Sequence, residues 1–429
     1  MPEFYVSAPG KVILFGEHSA VYGKPAIAAA LSLRAYLLVQ PSQTPDEIVL
    51  EFPDIGLVHK WNTADIPWEK LGAVLPRKKG HGTDLPSVTE ELVPEILDLA
   101  SDLLGDCSSD LHYTACRCFL YLYFNLCGAH VSGHHFCIRS TLPIGAGLGS
   151  SASTAVCLAA ALAALGGHVH DPKLQLNEHV LRKDTPAADF IDEWSFMGEK
   201  CFHGNPSGID NAVATHGGAV MYQRMSDPST PSVRTGIRNF AALKLLLINT
   251  KVPRSTADLV GNVARLNSKH SKATSAILDA MSHVATDAYH LMMLPELDKT
   301  SLRELVDINH GLLVALGVSH PSLEEVRIIT EKHKLGATKL TGAGGGGCAI
   351  TILHDAATET DVERISGELC AKGFETFQAT LGGKGVGMLR ADNCAEKSIF
   401  TSEKLAALAS RDHIEELIGP SNVEGWRFW

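Results

Sequence analysis

Apolar positions along the chain fall into runs whose spacing predicts strands and helices in mixed order, several of them parted by glycine-rich breaks. Ala8 to Arg34 reads as a strand, a loop and the start of a second apolar run, Ala26 to Leu38, rich in Ala and Leu. Residues 41 to 83 are mixed in character, with Pro41, Pro45, Pro53, Pro67 and the basic pair Lys78-Lys79, and read as strands and an exposed connection. Val88 to Leu104 carries a helical stripe at Leu92, Ile96, Leu97, Leu99, Leu103 and Leu104. Pro94 places the start of that helix near itself, where a missing N–H does no harm. Asp110 to Leu126 is a second helix candidate, and Phe136 to Ser140 a strand running into a Gly-rich turn. Ala152 to Leu165 is almost wholly Ala, Leu, Val and Cys, and a helix apolar on nearly every side is buried.

In the second half, residues 216 to 222 and 242 to 250 are strand-like. Ser255 to Glu331 is long and helical, with breaks expected near Pro295 and Pro321. Thr338 to Leu353 reads as strand, Gly loop, strand; Val362 to Lys372 as a helix; Thr376 to Leu389 as a strand pair. A shift to Ser, Pro, Thr and Asp over residues 225 to 237 predicts a linker or exposed loop. The pattern predicts an α+β protein in two lobes, divided there into residues 1–230 and 231–429.

Composition narrows the classes. The chain has 429 residues, 45% apolar and 20% charged, which is an ordinary globular balance. A formal charge of −11 argues against broad nucleic-acid or anionic-membrane binding, both of which want a basic face. The opening Met1-Pro2-Glu3-Phe4 lacks a secretory pattern, and the most apolar stretches fall short of the ~20 residues that span a bilayer. Ten cysteines scattered over this length read as small buried hydrophobes in a reducing, cytoplasmic compartment. No C-x-x-C occurs, which argues against structural zinc.

Four segments carry chemistry. The first is Leu142-Pro-Ile-Gly145-Ala146-Gly147-Leu148-Gly149-Ser150-Ser151, ahead of the buried helix. Alternate glycines let backbone approach an anion, and the helix start aims free N–H groups at it. A first-turn hydroxyl can also ligate a phosphate-bound Mg²⁺. The same residues would suit a plain strand-to-helix turn with a Ser cap. Neither G-x-x-x-x-G-K-[ST] nor the protein-kinase H-R-D and D-F-G set is present. The G-x-G-x-x-G at Gly342 to Gly347 precedes a strand pattern where a dinucleotide fingerprint needs a helix.

That second segment, Thr341 to Cys348, holds five glycines in six positions, each costing roughly 0.5–1 kcal/mol of ordering entropy relative to Ala. Close approach to a ligand or another backbone accounts for such a run better than a plain hairpin. The third, Ala8 to Gly23, sets Lys11 and Glu17-His18 in apolar surroundings. The fourth, Gly198 to Asn211, flanks a turn-rich loop with two carboxylates, Glu199 and Asp210.

Together, in this order and wording, the four resemble the motifs of the GHMP family of small-molecule kinases, from residue 6 to about 390. The words Ala8-Pro-Gly-Lys-Val-Ile-Leu, Gly16-Glu-His, His203-Gly-Asn-Pro-Ser-Gly-Ile-Asp and Asn249-Thr-Lys-Val-Pro-Arg254 fit its mevalonate-phosphorylating branch. A galactokinase-like member would carry Gly-Glu-His-Thr-Asp-Tyr; Ser19-Ala20-Val21 stands there instead. The resemblance implies a ribosomal S5 domain 2-like first lobe and a ferredoxin-like second lobe. It implies ATP and Mg²⁺ as cofactors, a small alcohol as substrate, a homodimer and inhibition by isoprenoid diphosphates.

Carried onto this chain, Asp210 corresponds to the base and Lys11 to the basic residue beside it. Ser151 and Glu199 correspond to the Mg²⁺ ligands. Gly145 to Ser151 would hold the triphosphate, with Ser140 and Asp54 as further nucleotide contacts; Asp54 stands where animal members carry Asn. Glu17, His18, Thr250, Gly342 and Ala343 fall at substrate contacts. A sister kinase with another alcohol, or a non-catalytic sensor of the same fold, are the rival readings. A sensor would be expected to lack Asp210 or Lys11, and both are present.

Overall fold

Two long strands, Phe4–Phe15 and Ala26–Pro41, pair antiparallel from Phe4↔Val39 to Phe15↔Ile27 and form the spine of the molecule. The computed structural model describes residues 3–78, 85–105, 107, 109–173, 186–204, 206–225, 232–237, 240 and 242–429. Both spine strands are buried along almost their whole length, because layers cover both of their faces. The register shifts between Pro9 and Lys11 and between Ile13 and Phe15, which bends the pair. The bend lets one strand serve two partners: the Ala35–Pro41 half of the second strand pairs with His134–Ser140, and its Ala26–Ala29 half with Ala219–Gln223.

The helix Ser150–Leu165 lies against the spine and is buried along nearly its whole length, as its Ala-rich sequence requires. Around it pack the helices Asp110–Leu126, Pro186–His203 and Ile209–His216. Aromatic side chains lock the far side, with Phe119 stacked on Trp61 at 5.5 Å and edge-on to Phe136 at 4.9 Å.

The second lobe follows a β-α-β-β-α-β plan. Its strands lie in the order Gly336–Leu340, Cys348–Leu353, Leu243–Asn249, Glu375–Leu381, all antiparallel, which is the ferredoxin-like arrangement. The helices Thr256–Lys269, Ser271–Met293, Lys299–Ala315, Pro321–Lys332 and Glu359–Ala371 complete it. The expected breaks near Pro295 and Pro321 are there; a third, at His270, carries no proline to announce it.

One backbone pair, Leu381↔Leu31, joins the two sheets. The expected division at residues 230/231 is then crossed again. Gly387–Arg390 returns to pair with Phe4–Phe15, and Arg427–Phe428 adds beside it. The linker expected over 225 to 237 is partly a strand: Val233–Ile237 pairs with Ala219–Gln223, and its exposed, polar character hid it. Residues 226–231 of that stretch lie outside the described residues. Among the described residues, no helix is long and apolar enough to cross a membrane.

Arg34, buried on the bent strand, ties these returns together. Its guanidinium donates to Ser7 Oγ at 2.7 Å, Lys384 O at 2.8 Å and Gly385 O at 2.6 Å. Arg34→Met keeps the length of the side chain and orphans those carbonyls, each worth about 1–3 kcal/mol when buried without a donor. The expected result is a loss of about 3 kcal/mol or more, read from the midpoint of urea unfolding; a midpoint within error of the parent contradicts this role for Arg34.

Candidate active site

The turn between the strand His134–Ser140 and the helix Ser150–Leu165 forms a shallow cradle. Gly145, Gly147 and Gly149 all have positive φ, at 74°, 79° and 74°, and Gly149 caps the helix in the left-handed conformation without side-chain help. The first amides of the helix are thus left to face the cavity, which Gly149, Ser150 and Ser151 line. Gly147 has a steric reason as well. A Cβ there would overlap Arg254 Nη2, which donates to Ala146 O at 3.1 Å.

Beside the cradle the charged residues converge. Lys11, from the first spine strand, places Nζ 3.2 Å from Asp210 Oδ2 and 3.5 Å from Gly147 O. Asp210 sits in the first turn of Ile209–His216, where the helix dipole favours a negative charge. Glu199 comes from the last turn of Pro186–His203 and accepts from Ser151 Oγ at 2.9 Å. His203 Nε2 lies 3.1 Å from the same hydroxyl. Burial raises the Glu199 carboxyl to about 7, the neighbouring Asp210 adds to this, and the Ser151 hydrogen bond and Lys11 oppose it.

The electrostatics of this corner suit a cation. Glu199 Oε2 is buried with no hydrogen-bond partner, and a second carboxylate disfavours its charge. Hard oxygen donors from a carboxylate and a hydroxyl, next to a phosphate cradle, fit Mg²⁺.

The second glycine loop, Thr341 to Cys348, packs against the Ala8 to Gly23 segment and the end of the strand Leu243–Asn249. His18, itself at φ 61°, sets Nε2 2.8 Å from Ala343 O, and Thr250 Oγ1 donates to Gly347 O at 2.8 Å. Gly342 has φ 76°. Much of the glycine run answers to neighbouring chain: a Cβ at Gly344 would overlap the Val318 carbonyl oxygen, and one at Gly347 the Arg254 guanidinium. Arg254 therefore spans both glycine loops, a role that spacing does not betray because the residue follows a proline in an irregular segment.

Three expected contacts take other positions. Glu17 is buried, with one carboxylate oxygen paired to Lys339 Nζ and the other accepting from Asn309 Nδ2 at 3.0 Å. It braces the turn that carries His18 and does not face the cleft. Asp54 accepts from Arg139 Nε at 2.9 Å and from the Ser140 amide at 2.7 Å, so both its oxygens fasten the strand leading into the cradle. Ser140 Oγ turns inward to accept from the Leu142 amide at 3.1 Å.

The cradle opens into a cavity of about 530 Å³. Its charged mouth holds Lys11, Ser151, His203 and Asp210, and its far wall is apolar, built from Leu50, Phe52, Leu57, Ile138 and Leu158. A flat heterocycle with a polyphosphate tail has this division of chemistry. The wall residues come from three separate strands and a helix, so no local motif marks them.

Comparison with known proteins gives the family. The GHMP kinases N terminal domain matches residues 110–218 and the GHMP kinases C terminal domain residues 293–375. The mevalonate kinase of Candida albicans is 55% identical over 429 residues, covering 99% of each chain. That of Gibberella zeae is 41% identical over 455 residues, covering 100% of this chain and 88% of the relative. The crystal structure of L. major mevalonate kinase in complex with R-mevalonate shares the fold at a TM-score of 0.58 and 24% identity, over 88% of this chain and 96% of that one. With a site of this shape and relatives alike from end to end, the chain belongs to the mevalonate kinases of the GHMP kinase family.

Proposed function

We propose that the protein transfers the γ-phosphoryl group of ATP to the primary hydroxyl of mevalonate, with Asp210 as base, Lys11 beside it, and Ser151 and Glu199 holding Mg²⁺. The observation that carries this reading is the 3.2 Å Lys11–Asp210 pair set against the glycine cradle. Phosphoryl transfer asks for positioning and charge neutralisation more than for covalent work by the protein.

The substrate hydroxyl oxygen attacks the γ-phosphorus as the bond to the β–γ bridging oxygen breaks. Its proton passes to Asp210, and ADP leaves. Lys11 has three donors, of which Asp210 and Gly147 O take two, and the third is available to the developing alkoxide. The cradle amides and the positive end of the helix Ser150–Leu165 receive phosphate oxygens. Bound Mg²⁺ would neutralise phosphate charge as it builds on the leaving group. His18, Thr250, Gly342 and Ala343 support the substrate side: His18 holds Ala343 O of the second glycine loop to the Ala8 to Gly23 segment, and Thr250 ties Gly347 O of the same loop to the end of the strand Leu243–Asn249.

Asp210→Asn is expected to lower kcat by about 10²–10⁴, the usual loss with a general base, while ATP affinity stays within a few-fold. Steady-state rates with equilibrium nucleotide titration check it, and an undiminished kcat removes Asp210 from the role. In a panel of mevalonate, phosphomevalonate, homoserine and galactose, ADP release should be fastest with mevalonate. Preference for another member would reassign the substrate.

Glu199 gives a pH test. Its folded value of about 7 stands above its ordinary 4.5, so folding favours the protonated form. Without metal, the stability this proton confers is present below pH ~4.5 and is lost as pH rises through ~7. Glu199→Gln mimics the protonated state. Metal-free, it should match the parent at pH 4 and exceed it by about 3 kcal/mol at pH 8, and it should gain nothing from Mg²⁺. Unfolding curves at both pH values measure this; a pH-independent difference would rule it out.

A further inference from the structure

We propose that His59, Cys107 and Cys116 form a second metal site, which takes a soft d¹⁰ cation, Zn²⁺ by preference, through two thiolates and one imidazole. Their ligand atoms all lie within 4.8 Å of one another, the one such trio of His, Cys or carboxylate groups among the described residues. They arrive from three elements: the strand Leu57–Asn62, the connection ahead of the helix Asp110–Leu126, and that helix itself. Spacing argued against zinc because the trio is assembled only by the fold.

His59 occupies an inward position, between Leu57 and Trp61 on a strand whose alternate residues Val58, Lys60 and Asn62 are exposed. The imidazole is tilted over Trp61 with ring centroids 4.5 Å apart, which holds it on the side of the strand that faces Cys107 and Cys116. Burial pulls its pKa down, which favours the neutral ligand form, and a hydrogen bond to the Leu103 carbonyl opposes that shift.

The thiols make the site selective. Burial pushes Cys116 up to about 12, and the neighbouring Cys107 sulfur adds to this. Cys107 Sγ donates to Leu104 O at 3.4 Å. A cation must displace both thiol protons, so binding releases two protons per ion. Two sulfurs and a nitrogen, with no hard oxygen, favour Zn²⁺ or Cu⁺ over Mg²⁺. Three protein ligands leave the fourth tetrahedral position for water or a small thiol, and half-buried Cys107 offers the way in.

The site lies behind the nucleotide wall. Leu57 and, from the same helix as Cys116, Asp110, Leu111, Thr114 and Ala115 line the 530 Å³ cavity. A bound ion would clamp strand to helix at that wall.

Titration of the reduced, metal-stripped full chain with Co²⁺ tests the proposal. One equivalent per chain should develop thiolate-to-cobalt charge-transfer absorption, which Zn²⁺ abolishes, with two protons released per ion. Cys107→Ser and Cys116→Ser should each lose the band, and Cys394→Ser, on the distant C-terminal side, should keep it. If Cys116→Ser fails to fold, Cys107→Ser and His59→Gln, at half-buried positions, read the same loss, with retained kcat as the check on folding. The proposal is overturned if no band forms, if the band survives Cys107→Ser, or if the resting protein holds a Cys107–Cys116 disulfide and takes no cobalt when reduced.

Discussion

Asp210 stands near enough to Glu199 to disfavour the charge of that buried carboxyl, and a single lysine, Lys11, pairs with Asp210 and opposes the effect at Glu199. The arrangement is costly in an isolated chain and makes sense only when further positive charge arrives. The rest of the architecture serves to hold that tension in place. Two helices aim the acids inward from opposite ends, Glu199 in the last turn of one and Asp210 in the first turn of the next. The spine strand supplies the lysine, and the buried Ser150–Leu165 helix sets Ser151 against Glu199.

Much of this was readable in residue order. Alternating glycines ahead of an all-apolar helix led to the cradle, since few other structures need both at once. The positions of Lys11, Ser151, Glu199 and Asp210 followed from motif wording; the fold brings Lys11, Ser151 and Asp210 to one cavity, with Glu199 buried behind Ser151 and hydrogen-bonded to it. The helices carrying Glu199 and Asp210 were less legible. Between them lies Gly204 to Gly208, whose turn composition masked the helical segments on either side.

Glu17 and Asp54 show a different limit. A carboxylate in a motif reads as a ligand contact, yet whether it faces a cleft depends on partners hundreds of residues away in one case and tens in the other. Lys339 takes up Glu17, and Arg139 takes up Asp54. Arg254 is the converse: it ends one of the motif words, yet nothing local tells that its guanidinium reaches both glycine loops. The apolar wall, drawn from Leu50, Phe52, Leu57, Ile138 and Leu158, is likewise a product of strand order and not of any one stretch.

The return of Gly387–Arg390 to the first spine strand sets the order in which the molecule can be completed during synthesis. Phe4 leaves the ribosome early and waits for Arg390, so one margin of the first sheet stays open while the second lobe is built. An unpaired strand margin is adhesive, and long-range closure of this kind is slow. A nascent chain stalled before residue 387 would therefore carry a nearly finished nucleotide pocket and an unprotected sheet together. For such a chain, the time between pocket formation and closure is the interval in which chaperones matter most.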